Sequence, residues 1–317
     1  IGLTALAGSL VATSVYAGSL SVSGGASFEV QHVGGGAANT GKAYSMGNSV
    51  TFTGSGELEN GLNVSISMEL DQGAADGTAG VFDSHSVKVG NDAFGTLTFS
   101  GHGGSSAQSA MDTTAAGDIW NNGFTHGVAA TAYVAMGGSD AANNKSVNYT
   151  LPTIMDDLSV AVSYSGQTTA VNSTTAFGAT YTGVEGLSVS YGVGEAGSTT
   201  ANTAADVTTM KASYAIGSFT AAVSNTENDL TGTGTDEEMS SWKLSYTVSD
   251  DLSVSYGEET HETSGESVDE EFDAISVSYT TGGMTITAAQ YNATGLGNTA
   301  GASNDAERWK LSTSFAF

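Results

Sequence analysis

Two carboxylates, Asp112 and Asp118, lie in a stretch from Gly101 to Asn144 that is rich in Gly, Ala, Ser and Asn, with His102 and His126 near its ends. Acids on a long exposed segment can transfer protons, hold a cation or set a potential on a path taken by ions. The first use needs a reacting partner, and the chain offers none. It has no Cys, no nucleophile elbow, no HExxH and no phosphate loop with its lysine. Asp112 and Asp118 are therefore candidates for a fixed negative potential, with solvated loop carboxylates as the plain alternative. Basic residues are scarce: seven Lys and Arg against thirty-three Asp and Glu, a formal net charge of −26. That balance argues against nucleic acid or an anionic membrane surface as partner.

Further acids cluster late in the chain, at Asp236-Glu237-Glu238, Glu258-Glu259 and from Glu262 to Asp273. Grouped carboxylate oxygens suit Ca²⁺, but no EF-hand or nonapeptide repeat is present, so a solvated acidic rim is the simpler expectation. No other cofactor is expected.

These residues must be positioned by something, and the dominant pattern is alternation. In the last stretch Trp309, Leu311, Phe315 and Phe317 fall on one parity, and Lys310, Ser312, Ser314 and Ala316 on the other. That is a two-sided strand. The same alternation runs through Leu20–Val30, Tyr44–Phe52, Leu62–Leu70, Val87–Val89 and Leu97–Phe99. It resumes after the long segment at Val147–Leu151 and continues to the end. With residues 101–144 treated as one insertion, the pattern predicts about sixteen strands, plus an optional short one at Val128–Met136. Their connections alternate in length. Those near 57–61, 91–95, 152–157, 183–186, 217, 249–251 and 281–283 are short, and those between are long. Short turns at one end, long loops at the other and two-sided strands of about ten residues characterise an outer-membrane barrel. Sixteen strands leave an aqueous channel where eight would fill with side chains. The predicted class is all-β, a transmembrane antiparallel barrel.

On that frame Lys88, Lys211, Lys243, Arg308 and Lys310 all have inward parity, as do Glu69 and Asp71. Inward placement is required in any case, because Lys or Arg at mid-membrane on the lipid face costs roughly 2–4 kcal/mol. The inward basic residues either oppose the carboxylates of the long loop across the lumen or pair locally with Glu69, Asp71 or Glu307. Outward tyrosines at 164, 191, 214, 246, 256 and 279 predict an interfacial girdle over the later strands. Strands one to five contribute only Tyr44, which suggests that they face protein. Residues 1–17, apolar and small with Val15 and Ala17 preceding a cleavage position, fit the remainder of a secretory signal peptide, leaving 18–317 as the barrel domain.

The chain resembles the general diffusion porins of Gram-negative bacteria, closest to the sixteen-stranded trimeric type of α-proteobacteria. The resemblance rests on Thr53-Gly54-Ser55-Gly56-Glu57 leading to Gly61-Leu62, Ala93-Phe94-Gly95-Thr96-Leu97, Gly117-Asp118-Ile119-Trp120 and the terminal Phe317. It implies an outer-membrane channel for small hydrophilic solutes and ions, and a third long loop folded into the pore. It also implies a homotrimer in outer-membrane lipid, and Phe317 as part of the signal read by the assembly machinery. The family sets acids on that loop against a basic wall cluster, and this chain has few basic residues to build one. With its charge, the channel is expected to favour cations. The competing reading is a secreted acidic β-rich adhesin or surface-layer protein. It explains the composition but not the alternating loop lengths.

Overall fold

The computed structural model describes residues 18–35, 41–71, 82–122, 124, 145–166, 172–196, 205–230 and 235–317. Residues 1–17, expected as a leader, His126 and the optional strand at Val128–Met136 lie outside these residues. Sixteen strands follow one another: β1 (Ser19–Gly35), β2 (Gly41–Glu57), β3 (Asn63–Asp71), β4 (Ser84–Asn91), β5 (Gly95–His102), β6 (Ser146–Thr150), β7 (Leu158–Ser165) and β8 (Thr174–Val184). The second half is β9 (Leu187–Ala196), β10 (Ala205–Ile216), β11 (Phe219–Leu230), β12 (Glu237–Ser249), β13 (Leu252–Thr263), β14 (Glu270–Thr281), β15 (Met284–Thr294) and β16 (Ala306–Ala316). Each pairs antiparallel with its sequence neighbours, and β1 pairs with β16, closing the barrel.

Closure removes the exposed edges that an open sheet would leave. At the seam Gly25 faces Ala316 and Gly35 faces Ala306, and Gly24 and Phe317 exchange backbone hydrogen bonds of 2.9 and 3.0 Å. Phe317 itself is exposed on the outside, beside Phe315.

The period-two pattern fixes the two faces of the wall. Outward residues such as Leu244, Tyr246, Val277, Tyr279 and Leu311 are exposed apolar side chains, as a lipid-facing band requires. The intervening Ser, Thr, Gly and Lys point inward. Short turns keep the hairpins tight. Gly186, at φ 78°, sits where an added Cβ would lie 2.3 Å from the Ala215 carbonyl oxygen, so both its backbone angle and its surroundings demand glycine.

Several strands run further toward the long-loop end than alternation predicts. Glu258 and Glu259, expected in a solvated acidic rim, belong to β13, and only 231–236 and 264–269 separate β11 from β12 and β13 from β14. Hydropathic alternation fails there because above the apolar band both faces of a strand are polar. The backbone ladder continues without an apolar parity to mark it. No helix among the described residues is long and apolar enough to cross a membrane.

Candidate pore lining and inserted segment

The segment after β5 runs across the inner wall. Ala107 donates its N–H to Ser163 Oγ of β7 at 2.9 Å, and Gln108 Nε2 donates to Thr209 Oγ1 of β10 at 2.8 Å. Ala115 N–H reaches Ser224 Oγ of β11 at 2.8 Å, and Ala116 N–H reaches Ser241 Oγ of β12 at 2.9 Å. Inward serines thus accept backbone donors that would otherwise be buried without partners. Glycines make room for the crossing. A Cβ at Gly178 would lie 2.3 Å from the Ala107 carbonyl oxygen, and one at Gly257 2.9 Å from Ala116 Cβ.

Glu259 holds the far end of the segment. Its carboxylate accepts the Ile119 N–H at 2.9 Å, the Trp120 N–H at 2.8 Å and the Thr114 hydroxyl, and the residue is 1 % exposed. Ile119–Asn121 form a single 3-10 turn, so these are the unsatisfied amides at its start. Asp118 precedes the turn at φ 55° and accepts the Thr114 N–H at 2.9 Å. Beyond it, Ala116, Ile119 and Phe124 pack on Phe272, Ala293, Leu296 and Ala306, with Trp120 and Tyr291 alongside. This is the one apolar core cluster of any size among the described residues, and it lies on one side of the lumen against β14–β16.

The expected residues take the following positions. Asp112 and Asp118 are half-buried and near each other, and Asp112 is near Lys211. Burial first, and then the Asp118 charge, push the Asp112 carboxyl up to about 7. Lys211 donates from Nζ to the Thr113 carbonyl at 2.6 Å, and Lys243 to the Ala116 carbonyl at 3.4 Å. Lys310 donates to Asn122 Oδ1 at 3.2 Å. These lysines grip the segment directly, and Lys211 is also within Coulombic reach of the Asp112 carboxylate. Neither Glu69, Asp71 nor Glu307 supplies the partner that local pairing suggested for the pair on β16. That partner is Glu29, which meets Arg308 Nη2 at 3.3 Å and Lys310 Nζ at 3.2 Å across the β1–β16 seam. Glu69 accepts the Ser84 hydroxyl at 3.0 Å, and Asp71 lines a cleft with it near Ser27 and Ser49. Lys88 and Lys211 share a lumenal space of about 640 Å³ with His85, His102 and many serines and threonines, and no carboxylate among the described residues lines it.

Sequence reasoning missed Glu259, Glu29 and the wall serines. An inward Glu on a strand is the available signal for the first two, although alternation marks Glu29 only as polar and the run of acids marks Glu259 only as part of a rim. A third inward acid, Glu270, is fully buried. It accepts from His261 Nδ1 at 3.2 Å in the tautomer that protonates that nitrogen, and its other oxygen takes the Gly297 N–H at 2.5 Å.

The arrangement is a hydroxyl-lined conduit with a charged strap seated on one wall. A family model described as Gram-negative porin matches residues 2–317. Solved structures share the fold at low identity. Salmonella typhi OmpF, in complex with daunomycin, is 13 % identical with a TM-score of 0.71, covering 94 % of this chain and 97 % of its own. In-vitro folded OmpT, an outer membrane protein of Vibrio cholerae, is 16 % identical at 0.67, covering 97 % and 99 %. A substituted form of the Rh. blastica porin is 14 % identical at 0.64, covering 94 % and 100 %. A search of curated protein sequences returned no match. Together, the family match over nearly the whole length and the closed sixteen-strand barrel establish that this chain belongs to the Gram-negative porin family and forms a diffusion channel in the outer membrane.

Proposed function

We propose that the channel passes small hydrophilic solutes and ions passively, favours cations, and is narrowed by the segment from Gly103 to Asn122. The observation that carries this is the seating of that segment on the inner wall by Ser163, Thr209, Ser224, Ser241 and Glu259, which sets Asp112 and Asp118 inside the barrel. A net charge of −26 supports the sign. Diffusion through a hydroxyl-lined lumen needs no cofactor and no catalytic step.

One observation favours a second reading of the selectivity. The space around Lys88 and Lys211 has no carboxylate among the described residues of its lining, although Asp112 lies within Coulombic reach of Lys211, and ions would sense that local potential more strongly than the net charge. Reversal potentials in a planar bilayer under a KCl gradient at low ionic strength separate the two. A cation-favouring potential supports the first reading, and an anion-favouring one refutes it.

The homotrimer belongs to the same proposal. One solved form of the Vibrio cholerae OmpT is described as a trimer, at 17 % identity and a TM-score of 0.66. Here β1–β5 carry exposed Leu20, Val22, Met46, Ile66 and Val87, with Tyr44 their one exposed tyrosine among the described residues, which suits contact with another barrel. Conductance steps in threes would support it, and independent single steps would count against it. We place Phe317 in the signal read by the assembly machinery, a role its exposed ring at the seam permits. Loss of barrel insertion in Phe317→Ala would bear this out.

A further inference from the structure

Four of the five inward basic residues are committed to acceptors of the protein itself. Lys211 and Lys243 bond carbonyls of the inserted segment, and Arg308 and Lys310 meet Glu29. The fifth, Lys88, is not: no hydrogen bond or ion pair joins it to another described residue, and its side chain is exposed within the lumen. It lines the space of about 640 Å³ that Lys211 borders from the other side. That space lies on the short-turn side of the strap. Gly178 and Thr209 meet the strap at Ala107 and Gln108, and Thr180 and Lys211, two residues nearer the short turns, line the space. A solute that has passed the strap from the long-loop end enters it.

The lining limits what can be held there. Twelve serines and threonines contribute to it. Thr180 and Ser190 bond each other at 2.9 Å, but Thr98, Ser159, Ser188 and Ser213 make no side-chain hydrogen bond to a described residue. Each free hydroxyl can both donate and accept, so the matching ligand carries hydroxyls of its own. One lysine without a counter-charge calls for one anionic group. A phosphate, with close to two charges, would need a second free cation, and Lys211 already faces Asp112. A volume in the range of small-molecule sites would be left mostly empty by a bare inorganic anion. We propose that this space is a subsite for a sugar acid, with its carboxylate on Lys88 and its hydroxyls exchanging hydrogen bonds with the serines and threonines of β5, β7, β9 and β10. An ion pair in a wet lumen is weak, which suits a channel, where a solute must bind well enough to enter and loosely enough to leave. The inference rests on the barrel being an open channel and not on the sign of its ion preference. Net charge acts over the whole molecule, whereas the Lys88 charge acts within about 10 Å at 0.1 M salt.

Block of the current through single channels in a planar bilayer at low ionic strength provides the test, with potassium D-glucuronate as probe and added potassium chloride of equal ionic strength as reference. Glucuronate should interrupt the current in a saturable way. D-Glucose, which lacks the charge, and acetate, which lacks the hydroxyls, should each block several-fold more weakly. Lys88→Gln should weaken glucuronate block about five-fold, the upper end for a solvent-exposed ion pair, and leave glucose unchanged. Should that variant fail to insert, Ser159→Ala/Ser188→Ala/Ser213→Ala tests the other half of the site: glucuronate block should weaken and acetate block should not. Lys145→Gln removes an exposed charge at the long-loop end, outside this space, and should be blocked as the wild type is. An equal loss in Lys145→Gln would overturn the proposal, since net charge alone would then explain it. So would acetate or glucose 6-phosphate blocking as tightly as glucuronate. A protein that conducts without being blocked by glucuronate refutes this inference alone. One that forms no conducting pore refutes the channel reading and this inference with it.

Discussion

Replacing Glu259 by Gln removes one negative charge and turns one acceptor oxygen into a donor at the point where the inserted segment is held. The carboxylate accepts from Thr114 Oγ1, Ile119 N and Trp120 N. If the amide oxygen keeps the Thr114 and Ile119 side, the new NH2 group faces the Trp120 N–H, and two donors meet. One hydrogen bond to a charged acceptor, worth about 1.5–3 kcal/mol, is lost outright, and two lose their charge assistance. Relief from burying a charge offsets part of this. The net cost to the seated segment is about 2–4 kcal/mol. The barrel ladder is untouched, so folding should survive. A shift of this size makes an unseated state visible if seating is worth only a few kcal/mol. Single-channel recording should then show switching to a higher conductance level, with β-sheet circular dichroism unchanged. A folded variant with one steady level equal to the wild type would refute Glu259 as the clasp.

Further outcomes follow from the same geometry. Gly178→Val places a side chain against the Ala107 carbonyl, 2.3 Å from the added Cβ, and backbone there cannot yield. Because the chain has no Cys, an Ala110→Cys label reports the result: thiol modification should quicken when Gly178→Val is added, and an unchanged rate would count against the crossing. The Asp112 carboxyl, held near 7 by burial and Asp118, is ionised only above that pH. The cation-to-anion permeability ratio should fall as pH drops through about 7 and lose that step in Asp112→Asn. Since the folded state holds this proton more tightly than the unfolded chain, Asp112 favours folding less as pH rises from about 4 to 7. Glu29→Gln leaves Arg308, buried at 8 % exposure, beside a neutral group. Thermal unfolding should reveal a loss of about 2–4 kcal/mol at the β1–β16 seam.

Much of the barrel was legible because membrane burial imposes a rule on every residue of a spanning strand. One face meets hydrocarbon and the other meets water, so Leu252, Val254 and Tyr256 against Ser253 and Ser255 carry their orientation in their types. The same rule placed Lys88, Lys211, Lys243, Arg308 and Lys310 inward before any coordinates. It lapses above the apolar band, which is why Glu258 and Glu259 read only as part of an acidic rim although the ladder of β13 runs through them.

What the sequence by itself determined is therefore the number of strands, their order and the face each residue presents, since these follow from local alternation and from connection length. Only the tertiary structure decided which inward residues meet. Glu259 lies 139 residues from Trp120 and Glu29 lies 279 from Arg308. Barrel closure and the path of one polar segment bring them together. That segment has no hydropathic period to announce its course, because its backbone is satisfied by scattered serines and one carboxylate of the wall instead of a strand of its own.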